Sequence, residues 1–353
     1  MGGARLEALV RAVTAGVASR PISFGRLTRA GGQPVVRFAF RRLLQAIPVL
    51  WGVTFLTFLA MNALPGDAAR ELLGANATKA QVHQLSATLG LTKPLMARYW
   101  QWLTDALSGS LGHSLASGEG VASILAHDLP ITFELMAYAL IVALVLSVPM
   151  ALVSARWPNA VADRLNMVLS MLGLSIAPFV LALVLVLIFA VKLDILPALG
   201  WVPPDQGFGA NLRSLTLPAF SLGLGLMCLY ARLLRADLLE QVQNEDYIVT
   251  ARAKGAGPWR VLLRHAMRNS VFGLITVVAL NLGTMLGSAV ILEDIFSLPG
   301  IGSQLLSAIT NRDVPVVEGT VLVFAVIVVV ANFFSDVLYS VLDPRIRHGG
   351  KSA

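Results

Sequence analysis

Apolar residues are gathered into six stretches, each long enough or nearly long enough to cross a bilayer as a helix. The stretches run over residues 43–62, 131–154, 165–191, 214–234, 271–292 and 316–341. The fourth is the weakest, because its apolar part is short and Arg232 and Arg235 close it. Backbone groups inside lipid must be hydrogen-bonded within their own segment, so each stretch predicts a helix. The pattern predicts an all-α polytopic membrane protein with about six transmembrane helices.

The composition agrees with this prediction. Of the 353 residues, 56% are hydrophobic and only 13% are charged, whereas soluble domains usually carry about a quarter charged residues. The single cysteine, Cys228, lies in an apolar run, which excludes a disulfide framework and a thiol metal cluster. A net charge of +7 also suits nucleic-acid binding, but in a membrane protein the placement of charge matters more. We expect no nucleic-acid partner.

The positive charges predict the orientation of the chain. If the N-terminus is cytoplasmic, only seven of the 27 lysines and arginines fall in outer segments: Arg70, Lys79, Lys93, Arg98, Lys192, Arg213 and Arg312. Such an excess of positive charge in the other loops is typical of the cytoplasmic side. We therefore expect a multi-pass protein with both termini in the cytoplasm.

Two segments outside the spans have patterns of their own. In residues 1–36, apolar positions recur at helical spacing among arginines, which suits an amphipathic helix on the inner leaflet and equally a disordered basic tail. In the outer segment 63–130, Thr78 is placed to cap a helix that ends near Leu89, and Pro94 to open another that ends at Leu107. We expect 63–130 to form a small, roughly helical cap outside the membrane.

Acidic residues of the spans lie near the span ends rather than at their centres. Glu134, Glu293 and Glu318 occupy outer ends, Asp294 follows Glu293, and Asp336 lies near an inner end. We expect each of them to be an interfacial carboxylate that water solvates. Ion-driven carriers usually keep an ionisable group at membrane depth, so this pattern argues against a proton- or sodium-coupled carrier.

Signatures of enzymes are absent from the sequence. It contains no H-E-x-x-H, G-x-S-x-G or C-x-x-C motif, and its five histidines do not cluster at ligand spacing. We expect no catalytic residue and no metal site. A G-x-x-x-x-G-K-[ST] phosphate loop is also missing, so if ATP drives this protein, another subunit must bind it.

The loop between the fourth and fifth spans, residues 236–270, carries the strongest local signal. Its segment 247–269 reads YIVTARAKGAGPWRVLLRHAMRN. Tyr247 to Lys254 fit one short helix, Gly255 can supply a left-handed turn, and Pro258 can open the next helix. The pattern predicts a helix–turn–helix knob that projects into the cytoplasm.

The knob carries residues suited to docking in a groove of a partner. The small residues of one predicted face are Ala251, Ala253, Gly255 and Ala256, and the cations of the other are Arg252, Lys254 and Arg260. A solvated basic loop that merely follows the positive-inside rule has the same charge. Charge alone therefore does not separate the two interpretations.

The knob resembles the EAA loop of ABC importer permeases, in the form T-A-R-A-K-G followed by R-H-A-x-R-N that is typical of dipeptide and oligopeptide permeases. Residues 41–67 resemble the first span and L-P-G-D exit of that subfamily, and residues 89–103 the start of its external loop. ILEDIFSLPGIG at 291–302 is similar to its E-x-x-F-x-x-P-G-I-G motif, and LDPRIR at 342–347 to its ending. The resemblance covers residues 37–347.

This resemblance implies a type I ABC importer permease fold, with a cytoplasmic coupling helix and an external helical loop. The positions that it assigns to ATPase coupling are Tyr247, Thr250, Ala251, Arg252, Ala253, Lys254, Gly255 and His265. The positions of its external motif are Glu293, Pro299, Gly300 and Gly302. One departure is that Val249 or Thr250 stands where the wider EAA pattern has an acidic residue, so no salt bridge to an ATPase is assigned.

The resemblance also implies an assembly in the bacterial cytoplasmic (inner) membrane. The transmembrane permease domain, residues 37–347, would pair with a second homologous permease subunit, two ABC ATPase subunits and an external solute-binding protein. ATP and magnesium would be used by the ATPases, and this chain would bind no cofactor. Residues 1–36 and the tail 348–353 fall outside the resemblance.

The transported substrate is expected to be a dipeptide or oligopeptide, with a nickel complex, glutathione or a sugar as alternatives within the family. The pathway-lining candidates are Asn166, Ser170, Asn281, Met285 and Ser288, because polar residues within spans often mark paths. Hydrogen bonding to a neighbouring helix is the alternative for each. Rival classes are an ion-coupled secondary carrier and an intramembrane enzyme or scaffold.

Overall fold

The computed structural model describes residues 33–63, 70, 73, 77–88 and 92–342. The predicted amphipathic segment before residue 33, the L-P-G-D sequence and the tail after residue 342 lie outside these residues. The chain divides into two compact units, Met1–Arg42 and Leu43–Ala353. The sites described below all lie in the second unit.

The regular structure of the described residues is helical, apart from one isolated β-bridge between His113 and Gly120. The helices are α1 (Gln33–Ala63), α2 (Lys79–Thr88), α3 (Leu95–Leu107), α4 (Val121–Arg156), α5 (Val161–Ser175), α6 (Pro178–Leu185), α7 (Phe208–Asn244), α8 (Asp246–Ala253), α9 (Pro258–Ile295), α10 (Ile301–Thr310) and α11 (Val314–Leu342). A π-helical segment, Val186–Lys192, continues α6, and another, Val261–Ala266, lies within α9.

Five helices are long and apolar enough to cross a membrane. They are Leu44–Ala63 of α1, the whole of α4, α7 and α9, and Val314–Asp336 of α11. The remaining predicted stretch, the third, is a bent pair, in which α5 and the Pro178–Lys192 segment meet at 102°. The all-α membrane fold is confirmed, and the third stretch differs from the straight span expected of it.

The bend has a local cause at Pro178. Proline has no backbone N–H, and its ring disfavours the α conformation at the preceding residue. Ile176 and Ala177 are accordingly extended, with ψ of 124° and 140°. A new helix starts at Pro178 because proline is well accommodated in the first helical turn.

The helices α4 and α7 pack along each other at the centre of the second unit. Apolar side chains form one cluster around Leu135, Leu215 and Leu292, and another around Tyr230, Leu238 and Ile248 at the end where α8 lies. We call that end the arginine-rich end, since Arg156, Arg252, Arg260 and Arg264 lie there. The other end of the spans, where α10 lies, is called the opposite end.

The segment predicted as an external cap packs along the side of a span. Tyr99 of α3 is buried, its hydroxyl lies 3.0 Å from Thr54 Oγ1, and its ring contacts Phe55 and Phe58. Thr54 precedes Ala63, the end of α1, by nine residues, or about 13 Å of helix. The two predicted helices of this segment are present, and aromatic packing holds α3 beside α1.

Candidate functional site

The predicted knob is a helical hairpin made of α8, a four-residue turn and the start of α9. Gly255 has φ of +81°, the left-handed conformation that glycine adopts without strain. Its N–H donates to the Arg252 carbonyl at 2.9 Å, and the Ala256 N–H donates to the Ala251 carbonyl at 3.1 Å. Pro258 then occupies the first turn of α9. The predicted helix, turn and restart are all confirmed.

The two faces of α8 differ from the faces that the sequence predicts. Ile248 and Ala251 are one turn apart and both are buried against the core of the chain. The prediction that Ala251 belongs to the exposed small-residue face is therefore wrong. The outward face carries Val249, Thr250, Arg252, Ala253, Lys254 and Gly255. It offers a partner two cations beside small and apolar side chains.

A polar cluster holds the base of the hairpin. The Tyr247 hydroxyl donates to Gln241 Oε1 on α7 at 2.5 Å and accepts a hydrogen bond from Asn269 Nδ2 on α9 at 3.1 Å. Burial raises the pKa of the Tyr247 hydroxyl, so it stays neutral. His265, the last predicted coupling residue, lies on the π-helical part of α9 and is half-buried. Tyr247 thus fixes α8 to the two spans that flank it.

A buried ion pair ties the start of α5 to α7. Both Nε and Nη2 of Arg235 donate to the Asp163 carboxylate, the second at 2.7 Å, and the Asn159 N–H donates to the same carboxylate at 2.8 Å. Asp163 is fully buried. Because α7 runs directly toward α8, this pair joins the connection between α4 and α5 to the helix that carries the hairpin.

The predicted pathway residues divide into two groups. Asn166 Nδ2 donates to Ser154 Oγ of α4 at 2.8 Å, and Ser170 Oγ donates to Asn166 Oδ1 at 3.3 Å. Asn166 and Ser170 are buried. They hold α5 against α4 because a polar group in an apolar interior needs a partner, and they do not line the cavity described next.

The other three pathway candidates share a cavity of about 230 Å³. The cavity lies where α5 bends into α6, against α7 and α9. Asn281, Met285 and Ser288 contribute to its wall, together with Thr284, which the sequence analysis missed. Thr284 Oγ1 donates to the Asn281 carbonyl at 2.8 Å. The rest of the wall includes Gly173 and Gly225, which have no side chain, and Pro178, which lies at the bend.

Glu293 of the predicted external motif is a fully buried clamp. Its carboxylate accepts hydrogen bonds from Thr132 Oγ1 of α4 at 2.6 Å, from the Gly302 N–H at 2.7 Å and from the Ser303 N–H at 3.2 Å. The Ile301 N–H donates to the same Thr132 hydroxyl. The positive end of the α10 helix dipole thus faces the carboxylate, and three helices meet at one acid.

The glycines of the motif are required by this close packing. A Cβ on Gly302 would lie 2.5 Å from Val290 Cα, and one on Gly300 would collide with the Glu293 carboxyl group. Pro299 is exposed and turns the chain between α9 and α10. The motif therefore forms a tight corner at the opposite end of the spans.

The expectation that Glu293 and Glu318 are solvated is wrong. Both are buried, Glu293 in the clamp and Glu318 on α11. Arg98 of α3 lies close enough to Glu318 to interact electrostatically, and its Nη1 donates to Asn62 Oδ1 of α1 at 2.9 Å. Burial lowers the pKa of the Arg98 guanidinium, and Glu318 opposes that effect. Helices α4, α9 and α10 pack against α11, and Glu318 lies buried there rather than in the water that the sequence pattern led us to expect.

Comparisons with known proteins agree with this architecture. Residues 143–348 match the family described as binding-protein-dependent transport system inner membrane component, and residues 35–136 match the N-terminal family of the same membrane components. A Brucella abortus protein named as a peptide transport system permease is 38% identical over 308 residues, which cover 87% of this chain and 98% of that protein.

Two further relatives have other named substrates. The dipeptide transport system permease protein of Alkalihalophilus pseudofirmus is 36% identical over 334 residues, covering 89% of this chain and 100% of that protein. The glutathione transport system permease protein of Pectobacterium atrosepticum is 36% identical over 314 residues, which cover 89% of this chain and 100% of that protein.

The fold and these matches define the chain as a multi-pass permease of the type I ABC importer class. It belongs to the family of inner-membrane components of binding-protein-dependent transport systems, and resembles in particular the peptide permeases of that family.

Proposed function

We propose that this chain is one permease subunit of an ATP-driven importer of short peptides, and that the α8 hairpin couples it to a partner ATPase. In this proposal the arginine-rich end faces the cytoplasm, where positive charge is favoured. The observation that carries the proposal is the exposed face of α8, with Val249, Ala253 and Lys254 beside the left-handed turn at Gly255.

The hairpin is built to transmit a force. Its inner face is fixed by Ile248 and Ala251, and its base is fixed by the Tyr247 cluster. A partner that closes on ATP and moves α8 would therefore also move α7 and α9. Alternating access needs such an element with two positions, biased by the nucleotide. The ATPases would supply ATP and magnesium, and a second permease and a solute-binding protein would complete the importer.

The α5–α6 bend cavity is the proposed part of the pathway within this chain. It combines the polar groups of Asn281, Thr284 and Ser288 with apolar walls, a mixture suited to weak contacts with a peptide backbone. Peptides are favoured as substrates because the relatives include permeases named for peptide and dipeptide transport. Glutathione, itself a short peptide, is the alternative, because a similar relative is named for it.

Uptake of a labelled dipeptide and of labelled glutathione in membrane vesicles, with the partner subunits present, tests the proposal. A valine at position 255 would have to adopt the left-handed backbone conformation of Gly255, which costs a residue with a Cβ about 1–2 kcal/mol. It would also place a bulky side chain on the docking face. We expect Gly255→Val to lose ATP-dependent uptake while the protein remains in the membrane. Gly257→Ala is the matched control, since Gly257 has φ of −68° and open space at its Cβ. Normal uptake by Gly255→Val would refute the coupling role.

A further inference from the structure

A second cavity, separate from the α5–α6 bend, lies at the arginine-rich end. Its volume is about 250 Å³. It lies between the end of α4, the end of α7, the hairpin and the start of α9. Its lining residues are Ala155, Arg156, Val242, Arg252, Ala256, Pro258, Val261 and Leu262. We call it the Arg156–Arg252 cavity.

The charge of this cavity is entirely positive. Its wall contains two arginines and no acidic residue. Within the described part of the chain, no carboxylate forms an ion pair with Arg156 or Arg252. The neighbouring walls, Val261 and Leu262 among them, are apolar and buried. Two arginines thus line one cavity whose wall holds no acidic side chain.

The two arginines differ in burial, since Arg252 is exposed and Arg156 is partly buried. Arg156 Nε is buried and has no hydrogen-bond partner among the described residues. Arg252 Nη2 donates to the Val242 carbonyl, but at 3.4 Å. A guanidinium has five N–H donors in a planar fork, and a buried donor without a partner is costly. An anion in the cavity would accept hydrogen bonds from the buried Arg156 Nε and from Arg252, which also lines the cavity.

Two exposed tryptophans lie beside the cavity, next in sequence to Arg156 and Pro258. Trp157 and Trp259 pack edge to face with ring centroids 5.8 Å apart, and they remain 47% and 42% exposed. The Arg156 guanidinium lies over the Trp157 ring at 5.2 Å. Exposed tryptophans concentrate at the level of lipid headgroups, and basic pockets between span ends bind anionic headgroups.

We propose that the Arg156–Arg252 cavity binds the phosphate of an anionic phospholipid headgroup from the cytoplasmic leaflet. The planar guanidinium forks match the geometry of phosphate oxygens. A carboxylate of a partner ATPase has the same charge, but the exposed Trp157–Trp259 pair favours the lipid. The bound phosphate bridges α4 and α8 through one arginine on each helix.

The bridge has a consequence that rests on the proposed function. Because Arg252 belongs to the α8 hairpin, an anionic lipid that holds it to Arg156 fixes the angle of the coupling helix. The importer then couples ATP hydrolysis to uptake better in membranes that contain anionic lipid. Binding itself does not depend on this consequence and is tested first.

Native mass spectrometry of the full-length chain in detergent, titrated with phosphatidylglycerol or phosphatidylcholine, tests the binding. We expect the wild type to retain phosphatidylglycerol in preference, and the Arg156→Gln/Arg252→Gln pair to bind it about tenfold less tightly, since charge-assisted hydrogen bonds are lost. Arg260→Gln/Arg264→Gln removes two exposed cations of the same region that do not line the cavity, and is expected to bind like the wild type. Arg156→Lys/Arg252→Lys keeps the charge but loses the planar forks, and is expected to bind with intermediate affinity.

Four results would overturn the proposal. The first is equal retention of the two lipids, and the second is a loss of phosphatidylglycerol binding in the Arg260→Gln/Arg264→Gln control as large as in the Arg156→Gln/Arg252→Gln variant. The third is displacement of the lipid by inorganic phosphate at a similar concentration. The fourth is loss of lipid from the cavity when the ATPases assemble on the chain. The third would assign the site to a free anion, and the fourth to the ATPase interface. None of these results changes the uptake expected of Gly255→Val. Failure of the lipid-binding proposal is therefore distinguishable from failure of the coupling role.

Discussion

Arg235 holds the fully buried carboxylate of Asp163 with two donors, Nε and Nη2. The two residues are 72 positions apart in the chain, one at the start of α5 and the other on α7. Their contact makes the connection between α4 and α5 move with the helix that leads to the α8 hairpin. A change at either residue is therefore expected to reach the coupling site.

We expect Asp163→Asn to lower the free energy of unfolding by about 3–5 kcal/mol, because it leaves the Arg235 guanidinium without its counter-charge in a mostly buried site. Denaturant titration of the purified chain in mild detergent measures this loss. Asp205→Asn, at an exposed position of a short turn, is the control and should change stability by less than about 0.5 kcal/mol. Similar stabilities of the two variants would show that the pair contributes little.

Glu293→Gln is expected to loosen the corner between α9 and α10. The variant keeps the size of the side chain but loses the charge that faces the α10 N-terminus, and its single acceptor oxygen cannot serve both Thr132 and the N–H groups of Gly302 and Ser303, at a cost of about 1.5–3 kcal/mol. The adjacent Asp294→Asn is a matched control, because Asp294 is exposed. Limited proteolysis between α9 and α10 should accelerate in the first variant only. Equal cleavage rates in the two variants would contradict the clamp.

Tyr247→Phe should free the base of the hairpin. The variant removes the hydroxyl that bonds Gln241 and Asn269, at a cost of about 1 kcal/mol. Hydrogen exchange followed by mass spectrometry should show faster exchange in α8. Tyr138→Phe removes a comparable bond, from Tyr138 to Asn211 at the opposite end, and should leave α8 unchanged. If α8 exchanged equally fast in the wild type and in Tyr247→Phe, the cluster would have no role in fixing it.

The sequence predicts those features that depend on neighbouring residues. Hydropathy places the spans, since a 20-residue apolar run has few other solutions. Gly255 and Pro258 place the turn and the restart of the hairpin, because each residue has a strong backbone preference. The signal for the bend at Pro178 was also present, but the continuous apolar run around it suggested a straight span.

Contacts between distant helices were outside the reach of a single sequence. Thr132 meets Glu293 across 161 positions, and nothing in either local pattern indicates the pairing. The inward direction of Ala251 depends on how α8 sits against the core, and the burial of Glu318 depends on the helices that pack against α11. Periodicity gives the face of a helix but not the neighbour that covers it, so exposure at span ends was misjudged.

The most direct test of the central claim is photo-crosslinking from α8 to the ATPase subunit of the assembled importer. A photoreactive phenylalanine analogue at Ala253, which is exposed on the outward face, should give an adduct with the ATPase. The same analogue at Asp205, exposed at the opposite end, should give none. An importer that is active in uptake but yields no ATPase adduct from Ala253 would contradict the assignment of α8 as the coupling helix.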